Sequence, residues 1–150
     1  MSVDERMVHD IVQKVMANMQ ISGSVSGMHG VFKDMNDAIN ASIEAQKKVC
    51  TMTLDQREQI ISLIRKKTHE NAEILANMGV NETGMGNVGD KILKHHLTAD
   101  KVPGTEDIST IAWSGDRGLT LVEMGPFGVI GAITPATNPS ETVICNCIGM

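Results

Sequence analysis

Aromatic side chains are scarce in this chain of 150 residues, which contains two Phe, one Trp and no Tyr. Methionine, by contrast, occurs eleven times. Aliphatic and methionine side chains must therefore supply the hydrophobic core, and unbranched methionine adapts well to irregular gaps. The length is sufficient for one domain with a usable core.

Cysteine is also rare, and Cys50, Cys145 and Cys147 form neither a disulfide framework nor a CxxC zinc pattern. A reduced, cytosolic protein is expected. Long apolar runs are missing, since none approaches the roughly 18 residues of a membrane span. The first ten residues, MSVDERMVHD, carry acids where a secretory signal has basic residues. We therefore expect no membrane association.

Positive charge is not concentrated anywhere in the chain, whose net charge is −5. Without a basic stripe to neutralise phosphates, nucleic acid is not an expected partner. The basic run at residues 65–67 is interpreted as a solvated helix face. The four glycines between residues 79 and 89 follow no predicted strand, so a phosphate-binding loop is not predicted either.

An amphipathic helix is predicted over residues 3–19, because apolar side chains recur there at helical spacing. The Gly- and Ser-rich residues 21–30 predict a flexible linker. A helix this short is not stable alone in water, so residues 1–20 need a partner. That partner is either the protein's own body, an oligomer neighbour or another protein. A membrane surface is disfavoured because the polar face is not enriched in Lys and Arg.

Two helices are predicted to open the main domain, residues 31–150. Asp34 or Asn36 can cap the first. Thr53 with Gln56 three residues later predicts a capping box for the second, which we expect to end at Gly79. A third, short helix carries two adjacent histidines at residues 95–96. They lie on different faces and have no carboxylate at a ligand-like spacing, so no metal site is predicted.

Two strands, at residues 108–113 and 119–124, are predicted to form a hairpin across the turn residues 114–118. The hairpin as a whole covers residues 108–124. Trp113 within it is interpreted as a packing or interface residue rather than a substrate contact.

The most informative stretch is residues 123–142, EMGPFGVIGAITPATNPSET. The apolar run at residues 129–133 predicts a short buried strand. Two prolines then end it, because proline cannot donate to a strand ladder. Asn138 followed by Pro139 predicts an N-cap and the first position of a helix that continues to Met150. This is the first half of a βαβ unit, and ligands bind at the C-terminal ends of such strands.

The segment GPFGVIGAITPATNP resembles the aldehyde dehydrogenase superfamily where that fold enters its nucleotide-binding domain. NETG at residues 81–84 and KVPGTEDI at residues 101–108 extend the resemblance. The segment from Pro135 to Asn138 and KVPGTEDI resemble the CoA-acylating aldehyde dehydrogenases of bacterial microcompartments. The resemblance implies an α/β fold, of which this chain holds about the first third. The expected parts are leading helices, the β-hairpin, and the first strand and helix of a Rossmann-like parallel sheet at residues 127–150.

The resemblance also assigns roles to residues of this stretch. It implies that Asn138 donates a hydrogen bond to the oxyanion that forms when a thiol attacks the aldehyde. From the residues alone, Asn138 could instead serve only as an N-cap. The residues implied to contact the nicotinamide side of NAD are Ile133, Thr134, Pro135 and Ala136, and the alternative for these is a buried strand end.

The two cysteines that follow, Cys145 and Cys147, have no histidine or other base close in sequence. We interpret them as buried helix residues. The resemblance implies that the nucleophilic cysteine lies beyond residue 150, so that residues 1–150 alone would be inactive.

The function implied is that of an NAD-dependent, CoA-acylating aldehyde dehydrogenase. Such an enzyme converts a short-chain aldehyde, coenzyme A and NAD to acyl-CoA and NADH through a cysteine thioester. The expected setting is a microcompartment in the bacterial cytoplasm, with residues 1–20 binding a shell protein and the enzyme forming a homo-oligomer. The alternative is a non-catalytic binding or assembly module that uses the N-terminal helix and the hairpin.

Overall fold

Four α-helices, one short 3₁₀ helix and a two-stranded sheet lie within residues 30–150, the part of the chain that this computed structural model describes. The predicted helix at residues 3–19 and nearly all of the predicted linker lie outside the described residues. The chain divides into two units, Met1–Ala45 and Gln46–Met150. The elements in chain order are α1 (Met35–Cys50), α2 (Leu54–Thr83), α3 (Val88–Lys101), the 3₁₀ helix (Thr105–Ile108), β1 (Ile111–Gly115), β2 (Gly118–Val122) and α4 (Pro139–Gly149).

The start of α1 is capped by Asp34, one of the two residues predicted for this role. Its Oδ1 accepts hydrogen bonds from the backbone N–H groups of Asn36 at 2.8 Å and of Asp37 at 3.3 Å. These N–H groups have no partner within the helix, and the Asp34 carboxylate accepts hydrogen bonds from them. Its negative charge also interacts favourably with the positive end of the helix dipole. No residue of α1 is buried.

Helix α2 begins with the predicted capping box. The backbone N–H of Gln56 donates to Thr53 Oγ1 at 3.2 Å, and the backbone N–H of Thr53 donates to Gln56 Oε1 at 3.0 Å. The predicted end at Gly79 is wrong, because Gly79 is buried inside the helix. The left-handed residue that ends α2 is Gly84, with φ of 66° and its N–H donating to the Val80 carbonyl at 2.8 Å.

Small residues allow α2 and α3 to pack closely. Ala72 and Ala76 of α2 and Ala99 of α3 are all buried. The aliphatic stem of Lys91 runs past Gly79, where an added Cβ would lie 3.8 Å from its Cδ. Because a lysine stem is apolar, it can fill this space as long as its ammonium group finds a partner.

The three basic residues at positions 65–67 differ in their exposure and in their partners. Lys66 and Lys67 are exposed and pair with Glu70 on the same helix, as a solvated face would. Arg65 does not fit that prediction, since its side chain is only 26% exposed. Its Nη2 donates to the Val102 carbonyl at 3.0 Å and thereby ties α2 to the segment after α3.

The predicted hairpin is confirmed, with strands slightly shorter than expected. Strands β1 and β2 pair antiparallel, with Trp113 opposite Thr120 and a two-residue turn at residues 116–117. Every residue of both strands is exposed within the described part of the chain.

The predicted strand at residues 129–133 is not formed in this structure. A parallel strand is held by hydrogen bonds to neighbouring strands. Within residues 30–150, the hairpin strands pair only with each other. The side chains of this segment are accordingly exposed, Ile133 to 96%. Helix α4, in contrast, starts at Pro139 as predicted.

The left-handed cap of α2 makes a test of these helix ends possible. Changing Gly84→Ala should lower the free energy of unfolding by about 1–2 kcal/mol, because a Cβ is strained in this conformation. The matched change Gly89→Ala, inside α3, should raise it by about 0.4–1 kcal/mol through loss of unfolded-state freedom. Urea denaturation of both variants measures the difference, and equal effects would contradict the assignment of Gly84 as the cap.

Candidate functional site

The turn that leads into α4 places Asn138 at the N-cap position, directly before Pro139. An asparagine at this position usually accepts a hydrogen bond from a backbone N–H one turn into the helix. The Asn138 side chain makes no such bond. The sequence position of the cap was therefore predicted correctly, but the side chain is engaged elsewhere.

Lys94 of α3 is the residue that engages it. Lys94 Nζ donates to Asn138 Oδ1 at 3.1 Å. Because an ammonium group can only donate, the amide must turn its oxygen toward Lys94. The amide nitrogen then carries two hydrogens, and its one protein acceptor in the described structure is Thr137 Oγ1 at a long 3.4 Å. One N–H of Asn138 remains available for an external oxygen atom.

A second lysine of α3 holds the same turn by its backbone. Lys91 is buried, and its Nζ donates to the Thr137 carbonyl at 2.7 Å. A buried ammonium group is costly unless it is hydrogen-bonded, so this contact accounts for its position. The carbonyl that it fixes belongs to the residue immediately before Asn138.

His95 provides the third contact between α3 and this turn. The ring is fully buried, and its Nδ1 lies 2.7 Å from the Lys91 carbonyl. A carbonyl can only accept, so Nδ1 carries the proton. The other ring nitrogen, Nε2, lies 2.9 Å from Ser140 Oγ.

Glu141 completes this buried cluster. Its Oε2 lies 3.2 Å from Ser140 Oγ, and its Oε1 lies 3.8 Å from His95 Nδ1. Glu141 Oε1 is buried and has no hydrogen-bond partner in the described structure. The first turn of α4 is thus held to α3 by polar contacts rather than by apolar packing.

A groove of about 290 Å³ runs between α3 and α4 and includes Asn138 in its lining. Its walls combine apolar, polar and charged side chains from the two helices. The lining residues are Lys94, Leu97, Thr98, Asn138, Glu141, Thr142, Cys145 and Asn146. A small molecule in this groove would lie beside the Asn138 side chain.

The other predicted site residues are not brought to this groove. Residues 133–136 precede the turn, are exposed and belong to no helix or strand. Their role in binding a nicotinamide cofactor stays a prediction. Lys91, Lys94 and His95 were not identified as site residues from the sequence. Their shared spacing of three and four residues on one helix was the available signal, because such residues lie on one face.

The interpretation of the cysteines as buried was wrong. Cys145 and Cys147 are both exposed among the described residues. Helix α4 turns Glu141 and Ile148 toward the protein, with Ile144 half-buried between them. The two cysteines lie off that face, and Cys145 lines the groove.

The adjacent histidines do lie on different faces, but both have partners that sequence spacing did not predict. His95 lies near Glu141, as described above. His96 stacks on His69 of α2, with their Nδ1 atoms 2.7 Å apart, and His69 Nε2 lies 2.8 Å from Asp100. Even so, no group of three or more His, Cys, Asp or Glu within residues 30–150 is arranged to hold a metal ion.

This chain belongs to the aldehyde dehydrogenase family, whose model matches residues 13–148. The membership confirms the resemblance seen in residues 125–139.

More particular similarities are to CoA-dependent members of the family. An acetaldehyde dehydrogenase (acetylating) from Bilophila wadsworthia is 44% identical over 97% of this chain and 32% of its own length. The chain thus spans about a third of the length of that relative.

Two solved structures show the same fold for this segment. One is a propionaldehyde dehydrogenase from the Clostridium phytofermentans fucose utilisation bacterial microcompartment, 76% identical, with a TM-score of 0.76 over 81% of this chain and 28% of that one. The other is a Rhodopseudomonas palustris propionaldehyde dehydrogenase with bound CoA. It is 48% identical, with a TM-score of 0.76 over the same shares.

The buried contact between His95 and Ser140 can be tested by stability. Changing Ser140→Ala leaves the buried Nε2 of His95 without its hydrogen-bond partner, which should cost about 1–3 kcal/mol. Ser62→Ala is the matched control, since Ser62 bonds only to exposed Glu58 on its own helix and should change stability by less than about 0.5 kcal/mol. The measurement is the midpoint of urea denaturation. Equal midpoints for the two variants would mean that the contact between His95 and Ser140 does not stabilise the fold.

Proposed function

We propose that this segment works as the N-terminal part of a CoA-acylating aldehyde dehydrogenase. The enzyme would take a short-chain aldehyde and coenzyme A, with NAD as the oxidant, and form acyl-CoA and NADH. Family membership, similarity to acetylating and propionaldehyde dehydrogenases, and the groove beside Asn138 all support this function. The nucleophilic cysteine would lie beyond residue 150, as the resemblance implies.

The observation that carries the proposal is the free N–H of Asn138. When a thiolate attacks an aldehyde, the carbonyl oxygen becomes negatively charged. A donor that is already aimed at that oxygen lowers the barrier, because it does not have to reorient as the charge develops. Lys94 binds the amide oxygen of Asn138, so the amide nitrogen is the atom left to donate to a substrate oxygen.

The groove between α3 and α4 suits the carbon chain of a short aldehyde. Leu97 and the methyl group of Thr142 supply apolar surface, while Asn138 lies among the polar lining residues. A volume of about 290 Å³ is at the lower end of small-molecule pockets. We propose that the carbonyl carbon lies next to Asn138 and that the alkyl chain extends along the groove.

The exposed stretch before Asn138 would meet the cofactor. NAD supplies the acceptor for the hydride that leaves the substrate carbon. Ile133, Thr134, Pro135 and Ala136 are exposed and outside any helix or strand, so their surface is open to a ligand. Their place directly before the oxyanion donor supports contact with the nicotinamide side. Coenzyme A is proposed as co-substrate because the Rhodopseudomonas palustris relative was solved with CoA bound.

We also propose an assembly role for two other parts of the chain. Residues 1–20 would bind a microcompartment shell protein, which is supported by their amphipathic pattern and by the microcompartment origin of a 76% identical relative. The hairpin would contribute to a homo-oligomer. Its residues Trp113, Leu119 and Leu121 are each more than half exposed within the described chain, which supports burial against another surface.

The oxyanion role of Asn138 predicts a specific loss of rate in the full-length enzyme. Asn138→Ala should lower the turnover number by about 10²–10³-fold, because a donor to the developing charge is removed. The affinity for NAD should stay nearly unchanged. The melting temperature should also stay nearly unchanged, because the Asn138 side chain does not cap its helix. Steady-state kinetics and thermal melting measure the two effects.

Asn87→Ala is the matched control for this prediction. Asn87 is also an N-cap asparagine, but its Oδ1 does accept from the Asp90 N–H at 2.9 Å. Its loss should cost about 0.5–2 kcal/mol of stability with little change in rate. If Asn138→Ala instead lost stability and kept turnover within about threefold, Asn138 would be a structural cap.

The proposed targeting role of residues 1–20 has its own test. Deleting them should leave turnover of the full-length enzyme unchanged while releasing it from purified microcompartments. The double change Val8→Glu and Ile11→Glu should have the same effect, because charges on the apolar stripe oppose docking. Val3→Glu, outside the stripe, is the control. Full encapsulation of the double variant would mean that the helix packs on the enzyme itself.

A further inference from the structure

We propose that Lys94 is a positioning residue for the reaction, and that it acts by fixing the amide orientation of Asn138. The inference rests on the proposed function, in which Asn138 donates to the oxyanion. Lys94 does not need to touch the substrate for this role. Its ammonium group lies 3.1 Å from Asn138 Oδ1 and holds the amide oxygen, which leaves the amide nitrogen to donate to the substrate.

Two arrangements compete for the Asn138 side chain. At an N-cap, the default is for the amide oxygen to turn back to the helix and accept from the backbone N–H groups of its first turn. In this structure that bond is missing, and the oxygen is bound to Lys94 instead. A hydrogen bond from a charged donor is stronger than one from a neutral backbone N–H. Lys94 therefore keeps the Asn138 oxygen from capping α4 and leaves the amide nitrogen free to donate.

Lys94 also excludes the flipped amide. If the Asn138 amide rotated by half a turn, its NH₂ group would face the ammonium, and two donors would oppose each other. The flipped state would also present an oxygen to the developing oxyanion, which is repulsive. In the observed orientation, the charge-assisted bond at the oxygen polarises the amide and strengthens its N–H as a donor.

The position of the turn does not depend on Lys94. Its backbone is held by buried Lys91 through the Thr137 carbonyl, and the first turn of α4 is held by buried His95 through Ser140. Lys94 itself is exposed within the described structure and contacts only a side-chain atom of the turn. Its removal should therefore leave the fold intact and free only the amide.

The test uses Lys94→Met, which keeps the length of the stem and removes the donor, in the full-length enzyme. We expect the turnover number to fall by about tenfold, because the amide is no longer held in its productive orientation. The Michaelis constant for NAD and the melting temperature should be unchanged. Lys94→Arg should recover most of the rate, since it restores a cationic donor. Lys101→Met, a charge removal elsewhere on α3, should behave like the unchanged enzyme.

A double variant connects the effect to Asn138. Adding Lys94→Met to Asn138→Ala should lower the rate by less than about twofold further, because Lys94 would act only through that amide. Full additivity, no rescue by arginine, or an unchanged rate in Lys94→Met would each overturn the inference. If Asn138→Ala alone kept the turnover number of the unchanged enzyme, the oxyanion role of Asn138 would be wrong, and the role of Lys94 would be wrong with it. If the turnover number fell strongly in Asn138→Ala but not in Lys94→Met, only the proposed role of Lys94 would be wrong.

Discussion

The polar contacts from one face of α3 to the turn before α4 are the constraint on which the candidate site depends. Lys91, Lys94 and His95 are spaced so that all three side chains leave the helix on the same side. They meet a backbone carbonyl, a side-chain amide and a hydroxyl in consecutive parts of one short turn. Each of these contacts joins residues that are 44 to 46 positions apart in the chain. The groove between α3 and α4 exists because this turn is held.

Close packing of α2 against α3 makes the buried members of this face possible. The small side chains Ala72, Ala76 and Ala99 bring the two helices together, so Lys91 and His95 are shielded from water. Burying polar groups is unfavourable unless each finds a hydrogen-bond partner. Both do, and the partners are in the turn that carries Asn138. The stability of the helix pair and the rigidity of the site therefore have the same origin, as a preorganised donor requires.

Two asparagines in this chain show how tertiary contacts decide the use of a residue. Asn87 and Asn138 both occupy N-cap positions, and both were open to the same local hydrogen bond. Asn87 makes it, because Asp90 N–H is in reach and no stronger donor competes for its oxygen. Asn138 does not, because Lys94 arrives from another helix with a charged donor. The same residue type thus caps its own helix in one place and is bound by a lysine of another helix in the other.

The sequence by itself determined the features that depend on residues close together in the chain. The cap at Asp34, the capping box at Thr53, the hairpin and the start of α4 at Pro139 each need partners a few residues away, and all were predicted. Residues 125–139, together with the segments at residues 81–84 and 101–108, also indicated the family. Only the tertiary structure decided that the Asn138 amide oxygen is bound by Lys94 and does not cap α4, because that lysine is 44 positions away in the chain. It also decided that Cys145 is exposed, since burial in α4 is set by what the other helices cover.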